Sequence, residues 1–259
     1  MSFTCKAFDL IIVVGALLGK EEKATLEKLE ACMSEGTKVA YLFTMEDPKF
    51  SAKCDFFSRY EVGSEEGVVA LLAKNLLLHV TLPEALKNYF EALDEGYVSA
   101  ESNVGEEEIE EIEALYKEAK RVLIWLGNDV LAHPCKKNIV SLAQSIASHG
   151  KAEVYTHNSV EAPLMPSEVT SIESFDGTVV YQYEKKEEEP SVLKGSAQFQ
   201  IAAKIQDGDA ISLTIRHEVY ACTFVRDDSL KGTVALMPMA EKVKTYPYSV
   251  AKIVKADVQ

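Results

Sequence analysis

Asp9-Leu-Ile-Ile-Val-Val-Gly15 is the stretch on which the fold turns. It is an unbroken apolar run bounded by a polar residue and a glycine, and it reads as a buried strand delivering the chain into a helix. The helix predicted to follow covers about 21–34, with Leu26, Leu29, Cys32 and Met33 at helical spacing and Gly36 closing it. A second apolar run, Lys38-Val-Ala-Tyr-Leu-Phe43, returns from that helix and ends in Glu46-Asp47-Pro48-Lys49.

Further out, Gly63-Ser64-Glu65 opens another helix, predicted from Ser64 to about His79. Ser64 is its expected N-cap, and Glu65 and Glu66 stand in the positive first turn. This helix is apolar nearly all round, which predicts burial. Pro83 starts a short amphipathic helix that Gly96 is expected to end. Ser102 or Asn103 is then expected to cap an acidic helix over 106–120. A strand, Arg121-Val-Leu-Ile-Trp-Leu-Gly127, a helix from Cys135 to His149, and a returning strand, Ala152-Glu-Val-Tyr-Thr156, complete the series.

Strand–Gly–helix–Gly–strand therefore occurs twice, at 9–43 and 121–156. Right-handed crossovers lay both units into one doubly wound, mostly parallel sheet, so the fold class is α/β. Beyond Pro163 and Pro166 the pattern changes to strands of alternating character, at 178–183, 210–216, 219–225 and 233–237, with turns at Asp207-Gly208 and Lys231-Gly232. These form a small β-rich C-terminal domain. The expected division is 1–160 for the Rossmann-like domain and 161–259 for the linker and β-rich part, with Glu184-Lys-Lys-Glu-Glu-Glu-Pro190 as a solvated charged connection.

A chain of 259 residues, 47% hydrophobic, has room for two cores. Its formal charge of -14 argues against nucleic acid, since no basic stripe is present to displace counterions from phosphates. The longest apolar stretches, 10–18 and 68–80, are too short to span a bilayer, and the first residues lack the pattern of a secretory leader, so a cytoplasmic location is expected. Cys5, Cys32, Cys54, Cys135 and Cys222 are widely spaced and form no ligand pair, which predicts small buried thiols.

Chemical motifs are sparse. Gly15-x-x-x-Gly19 sits where a phosphate would meet a helix N-terminus, but it lacks the dinucleotide pattern, and Lys20 is not followed by Ser or Thr. Tight strand–helix packing is the stronger reading of those glycines. His79, His133, His149, His157 and His217 form no ligand motif and read as structural. His133-Pro134-Cys135 suggests thiol chemistry, yet nothing local supplies a base. No nucleophile elbow occurs, the glutamates at 106–108, 110 and 111 read as a solvated helix face, and Trp125 reads as core.

The order of short motifs resembles the molybdopterin oxidoreductase superfamily. Asp9–Gly15 corresponds to an apolar strand ending in Gly-x-Asn-Pro, Asp47-Pro48-Lys49 to Asp-Pro-Arg, Cys54-Asp55 to Ala-Asp, and Gly63-Ser64-Glu65 to Gly-Thr-Asp. Ser99-Ala-Glu-Ser-Asn-Val-Gly105-Glu-Glu-Glu-Ile109 is similar to the segment before the second crossover of that family. Within the superfamily, the likeness is to the C-terminal part of the molybdopterin-oxidoreductase-like subunit of respiratory NADH:quinone oxidoreductase (complex I), which holds its iron–sulfur clusters in N-terminal regions. Leu193-Lys-Gly195-Ser through Leu230-Lys-Gly232-Thr-Val-Ala-Leu-Met-Pro238 resembles the reduced β-rich ending of some members.

The resemblance implies a pterin-cofactor pocket at Gly15, Gly19, Asp47, Lys49, Gly63, Ser64, Glu65 and Gly127. The departures imply that this pocket is degenerate: Gly15 is followed by Ala-Leu-Leu, Lys49 replaces Arg, only Phe50-Ser51 remain of a Thr-rich loop, and Glu65 is longer than Asp. The implied role is a non-catalytic scaffold docked among other subunits of a membrane-bound NADH:quinone oxidoreductase, peripheral on the inner side of the membrane. No cofactor is expected in this chain, and iron–sulfur clusters and FMN are expected in partner subunits or missing domains. Two alternatives stand beside it: a pterin-cofactor-binding piece of a molybdopterin oxidoreductase, and an acidic α/β nucleotide- or protein-binding domain.

Overall fold

Apolar runs buried on both sides build the first sheet. The computed structural model describes residues 7–21, 23–186, 189–241 and 243–256. Strand β1 (Leu10–Val14) is buried at every position. It is flanked by β2 (Lys38–Phe43) and β4 (Val122–Leu126), with β3 (Phe56–Arg59) and β5 (Ala152–Thr156) outermost. The order is β3-β2-β1-β4-β5, and every pairing is parallel. The chain thus winds outward in one direction through β2 and β3, then returns to add β4 and β5 on the other side of β1.

The helices follow the sequence periodicity with local differences. The first predicted helix is two, α1 (Leu18–Glu21) and α2 (Lys23–Ser34). Helix α3 (Glu65–Leu76) is buried almost all round, and the Ser64 hydroxyl donates to the Glu61 carbonyl instead of capping the helix. Helix α4 (Glu84–Ala92) stops before Gly96, which falls within the next helix, α5 (Glu95–Ser102). Asp94 starts α5, its carboxylate accepting the Tyr97 N–H at 3.0 Å, and this local cap outweighs the glycine.

Asn103 ends α5 in the left-handed region, and Gly105 rather than Ser102 or Asn103 precedes α6 (Glu106–Glu118). The Glu108 carboxylate reaches back to the Gly105 N–H. After β4 come α7 (Asn128–Ala132) and α8 (Lys136–His149). Helix α3 packs against α5, α6 and α8, so the core of this unit lies between the sheet and a layer of helices. Trp125 is fully buried, as its place in an apolar strand implies.

A separate, mixed sheet forms from the C-terminal strands: β6 (Val179–Glu184), β7 (Val192–Gly195), β8 (Ala210–Ile215), β9 (Glu218–Arg226), β10 (Val234–Met239), β11 (Tyr248–Val250) and β12 (Lys252–Lys255), with α9 (Ala197–Ala203) between β7 and β8. The order is β11-β6-β10-β7-β9-β8-β12. Its two edge strands are separated in the chain by Ala251 alone, so the sheet curls round on itself. The Ala251 N–H donates to the Thr178 carbonyl, and the Thr178 hydroxyl donates to that of Ala251. The core of this unit includes Val180, Leu193, Phe199, Phe224 and Met237.

Contacts divide the chain into two compact units, one comprising the chain up to Thr44 with Lys49–Ser174, the other Met45–Pro48 with the chain from Phe175. Among the described residues no helix is long and apolar enough to cross a membrane. Cys54, Cys135 and Cys222 form no disulfide and are half-buried. Cys32 is disulfide-bonded, which corrects the expectation of a free thiol there; Cys5 lies outside the described residues, as do Glu187 and Glu188 of the charged connection.

Candidate functional site

In an open α/β sheet, ligands bind beyond the carboxyl ends of the strands, where neighbouring strands wind in opposite directions. Here that point lies between β1 and β4. Gly15 leaves β1 with φ +69, which a side chain would disfavour. The Gly127 N–H donates to the Val14 carbonyl at 2.8 Å, and the Asp129 N–H to the Gly15 carbonyl at 3.1 Å. A β-carbon at Gly127 would stand 2.2 Å from the Gly15 oxygen and 2.5 Å from the Ala16 β-carbon. The two loops that flank a ligand in such folds are therefore in backbone contact with each other.

Buried ionisable groups surround this closure. Tyr60 leaves β3, Glu65 opens α3, and Asp129 and His133 follow Gly127; they are 2%, 0%, 1% and 6% exposed. The Tyr60 hydroxyl faces Glu65 without meeting hydrogen-bond geometry. Burial, with the negative charges of Glu65 and Asp129, holds it well above the ordinary phenol range. A β-carbon at Gly15 would lie 3.3 Å from that hydroxyl, so Tyr60 belongs to the same packed surface.

His133 is fixed as one tautomer. Its Nδ1 accepts the Cys135 N–H at 3.0 Å, which leaves the proton on Nε2, facing the Gly63 carbonyl at 3.2 Å and the Glu65 carboxylate at 3.6 Å. Burial lowers its pKa, partly offset by the Gly63 carbonyl, and favours the neutral ring. This histidine bridges the segment after β4 to the turn before α3.

A second buried cluster adjoins it on α3 and α8. The Glu66 carboxylate accepts from Asn138 Nδ2 at 2.7 Å. The Asn138 amide also clamps Ser167, donating to its carbonyl at 2.8 Å and accepting its N–H at 2.6 Å. Desolvation raises the Glu66 pKa despite these contacts. The Cys135 thiol is pushed up to about 11 by burial and by Glu66. A thiol so placed is a poor nucleophile at neutral pH, so the His133-Pro134-Cys135 run supplies structure rather than thiol chemistry.

Of the residues expected in a pocket, Gly15 and Gly127 meet directly, and Gly63 joins them through His133. Ser64 and Glu65 are fully buried in the turn into α3. Lys49 is exposed, and its Nζ donates to the Gly19 carbonyl at 3.4 Å. Asp47 is 2% exposed and falls in the second unit. Tyr60, Asp129, Glu66 and Asn138 are not legible as site residues in the sequence. The one local signal is the spacing of Asp129 and His133, one helical turn apart after Gly127. Among the described residues no group of three or more His, Cys, Asp or Glu could hold a metal ion.

No protein-family model matches the chain, and no curated protein matches it. Among solved structures, acetylene hydratase from Pelobacter acetylenicus is similar over 47% of this chain and 18% of its own, at 14% identity and a TM-score of 0.34. The chain thus corresponds to under a fifth of that enzyme's length, and no activity transfers from a likeness of this extent.

Proposed function

We propose that this chain is a non-catalytic scaffold domain with the α/β frame of the molybdopterin oxidoreductase superfamily and a closed cofactor crevice. In finer detail, its kin is the molybdopterin-oxidoreductase-like subunit of NADH:quinone oxidoreductase, and it docks in the peripheral arm of a respiratory complex. The motif order from Asp9 to Ile109 supports that kinship.

One observation carries the non-catalytic reading: the backbone contact of Gly127 with Gly15. A ligand at the switch point lies beyond the carboxyl ends of β1 and β4, and here hydrogen bonds join the first residues of the loops that follow those strands. Together with the departures at Ala16, Lys49 and Glu65, that contact supports a degenerate pocket. The neutral His133, the protonated Cys135 thiol and the Glu66 carboxyl are each held by neighbouring groups of the fold.

The test is mass spectrometry of what co-purifies with the tagged chain from gently solubilised membranes of its source. Recovery of other NADH:quinone oxidoreductase subunits is the expected result. Recovery of the chain alone removes the respiratory assignment, and bound pterin in the same preparation favours the alternative of a cofactor-binding piece of a molybdopterin oxidoreductase.

A further inference from the structure

The helical side of the first unit carries a groove whose chemistry differs from that of the closed crevice. It lies between α3, α5 and α6 and has a volume of about 430 Å³, within the range of sites that take a small ligand or a few side chains. Its floor is apolar, made by Leu71, Val104 and Ile109, and Leu78 extends it outward at 61% exposure. Its rim carries Glu95, Glu106, Glu110 and Glu113.

Two of those carboxylates are already balanced. Lys74 meets Glu95 at 2.7 Å, and Lys117 meets Glu113 at 2.8 Å. Glu106 and Glu110 pair with no cation among the described residues, and both are exposed. An apolar floor with two uncompensated negative charges above it matches one kind of occupant: a segment bearing an aliphatic side chain with Lys or Arg close beside it. An anionic or uniformly polar segment fits neither feature. A second copy of this chain, itself at -14, meets net repulsion.

We propose that this groove docks a basic amphipathic segment of a partner protein, the aliphatic side chain lying on Leu71, Leu78 and Ile109 and the cation between Glu106 and Glu110. It is the helix-in-groove mode with the charge pattern of this surface. The proposal names a docking face that the scaffold reading leaves open, and it stands on the groove alone. Failure to recover respiratory subunits would leave it intact, and its own failure would leave the closed crevice unchanged.

The test uses the full chain, labelled at Leu and Ile methyls, titrated with a synthetic peptide of about 15 residues built from Leu and Lys at helical spacing. Two control peptides replace every Leu by Ser or every Lys by Glu. The Leu/Lys peptide is expected to shift the methyl signals of Leu71, Leu78 and Ile109 selectively, and each control to bind at least about tenfold more weakly. The double variant Glu106→Gln, Glu110→Gln changes only exposed side chains and is expected to remain folded, with at most a small drop in melting temperature from the lost first-turn charge, while losing about tenfold or more in affinity. Shifts scattered over the acidic surface, equal binding of the Ser peptide, or undiminished binding by a folded double variant would each overturn the proposal.

Discussion

Gly127 rests on Gly15 so closely that a β-carbon on the former would lie 2.2 Å from the carbonyl oxygen of the latter. Because the obstacle is backbone, it cannot turn aside as a flexible side chain would. Gly127→Ala is expected to destabilise the first unit by about 3 kcal/mol, the upper end of the cost of overpacking. Urea denaturation measures it. A change within about 0.5 kcal/mol, the usual range for a neutral surface substitution, would mean that the loops separate readily and that the crevice is openable.

How much of this is legible in the sequence depends on the length scale of each signal. The two strand–helix–strand units can be read because β1, β2 and β4 are continuous apolar runs. Strand β3, Phe56-Phe-Ser-Arg59, is too short to show a period, and β11 and β12 gain their identity only by pairing with strands far away in the chain. Expecting Gly96 to end a helix fails because Asp94 has already begun another. The ring of Tyr60, Glu65, Asp129 and His133 is assembled from two stretches far apart in the chain, 60–65 and 129–133, and residue spacing carries little trace of it.

His133 gives this ring a pH dependence. Its folded-state pKa is lowered by burial, so below the unfolded value of about 6.5 the unfolded chain takes up a proton that the folded one resists. Stability is therefore fully present above that value and is lost as pH falls through the folded pKa. Chemical denaturation from pH 8 to pH 5, with the His133 ring followed by NMR, is expected to show both. A ring pKa above 6.5 would instead show that the Glu65 carboxylate, 3.6 Å from Nε2, governs the imidazole.

Thiol reactivity offers an independent check on the same segment. At a pKa of about 11, Cys135 presents little thiolate at pH 8, and its greater intrinsic nucleophilicity offsets only part of that loss. Alkylation by iodoacetamide, followed by peptide mass mapping, is expected to proceed at Cys135 about tenfold more slowly than at an unperturbed cysteine in a model peptide. Equal rates would show a thiolate stabilised by its surroundings and would reopen thiol chemistry at this site.

Glu66 and Asn138 together make the last expectation. Glu66 has a raised folded-state pKa, so its contribution is fully present below the unfolded value near 4.5 and is lost as pH rises through the folded pKa. Glu66→Gln retains an oxygen for Asn138 and removes the buried charge, and it is expected to raise the melting temperature at pH 7 with the gain shrinking towards pH 4. Asn138→Ala acts in the opposite direction. It abolishes the contact with Glu66 and both bonds to Ser167, leaving the buried carboxylate with only the weak Cys135 thiol donor, at a cost of about 3 kcal/mol. Hydrogen exchange separates the two variants: the Ser167 amide is expected to lose protection in Asn138→Ala and to keep it in Glu66→Gln. Loss of protection in both would mean that the Glu66 charge itself, rather than the Asn138 amide, holds this segment against α8.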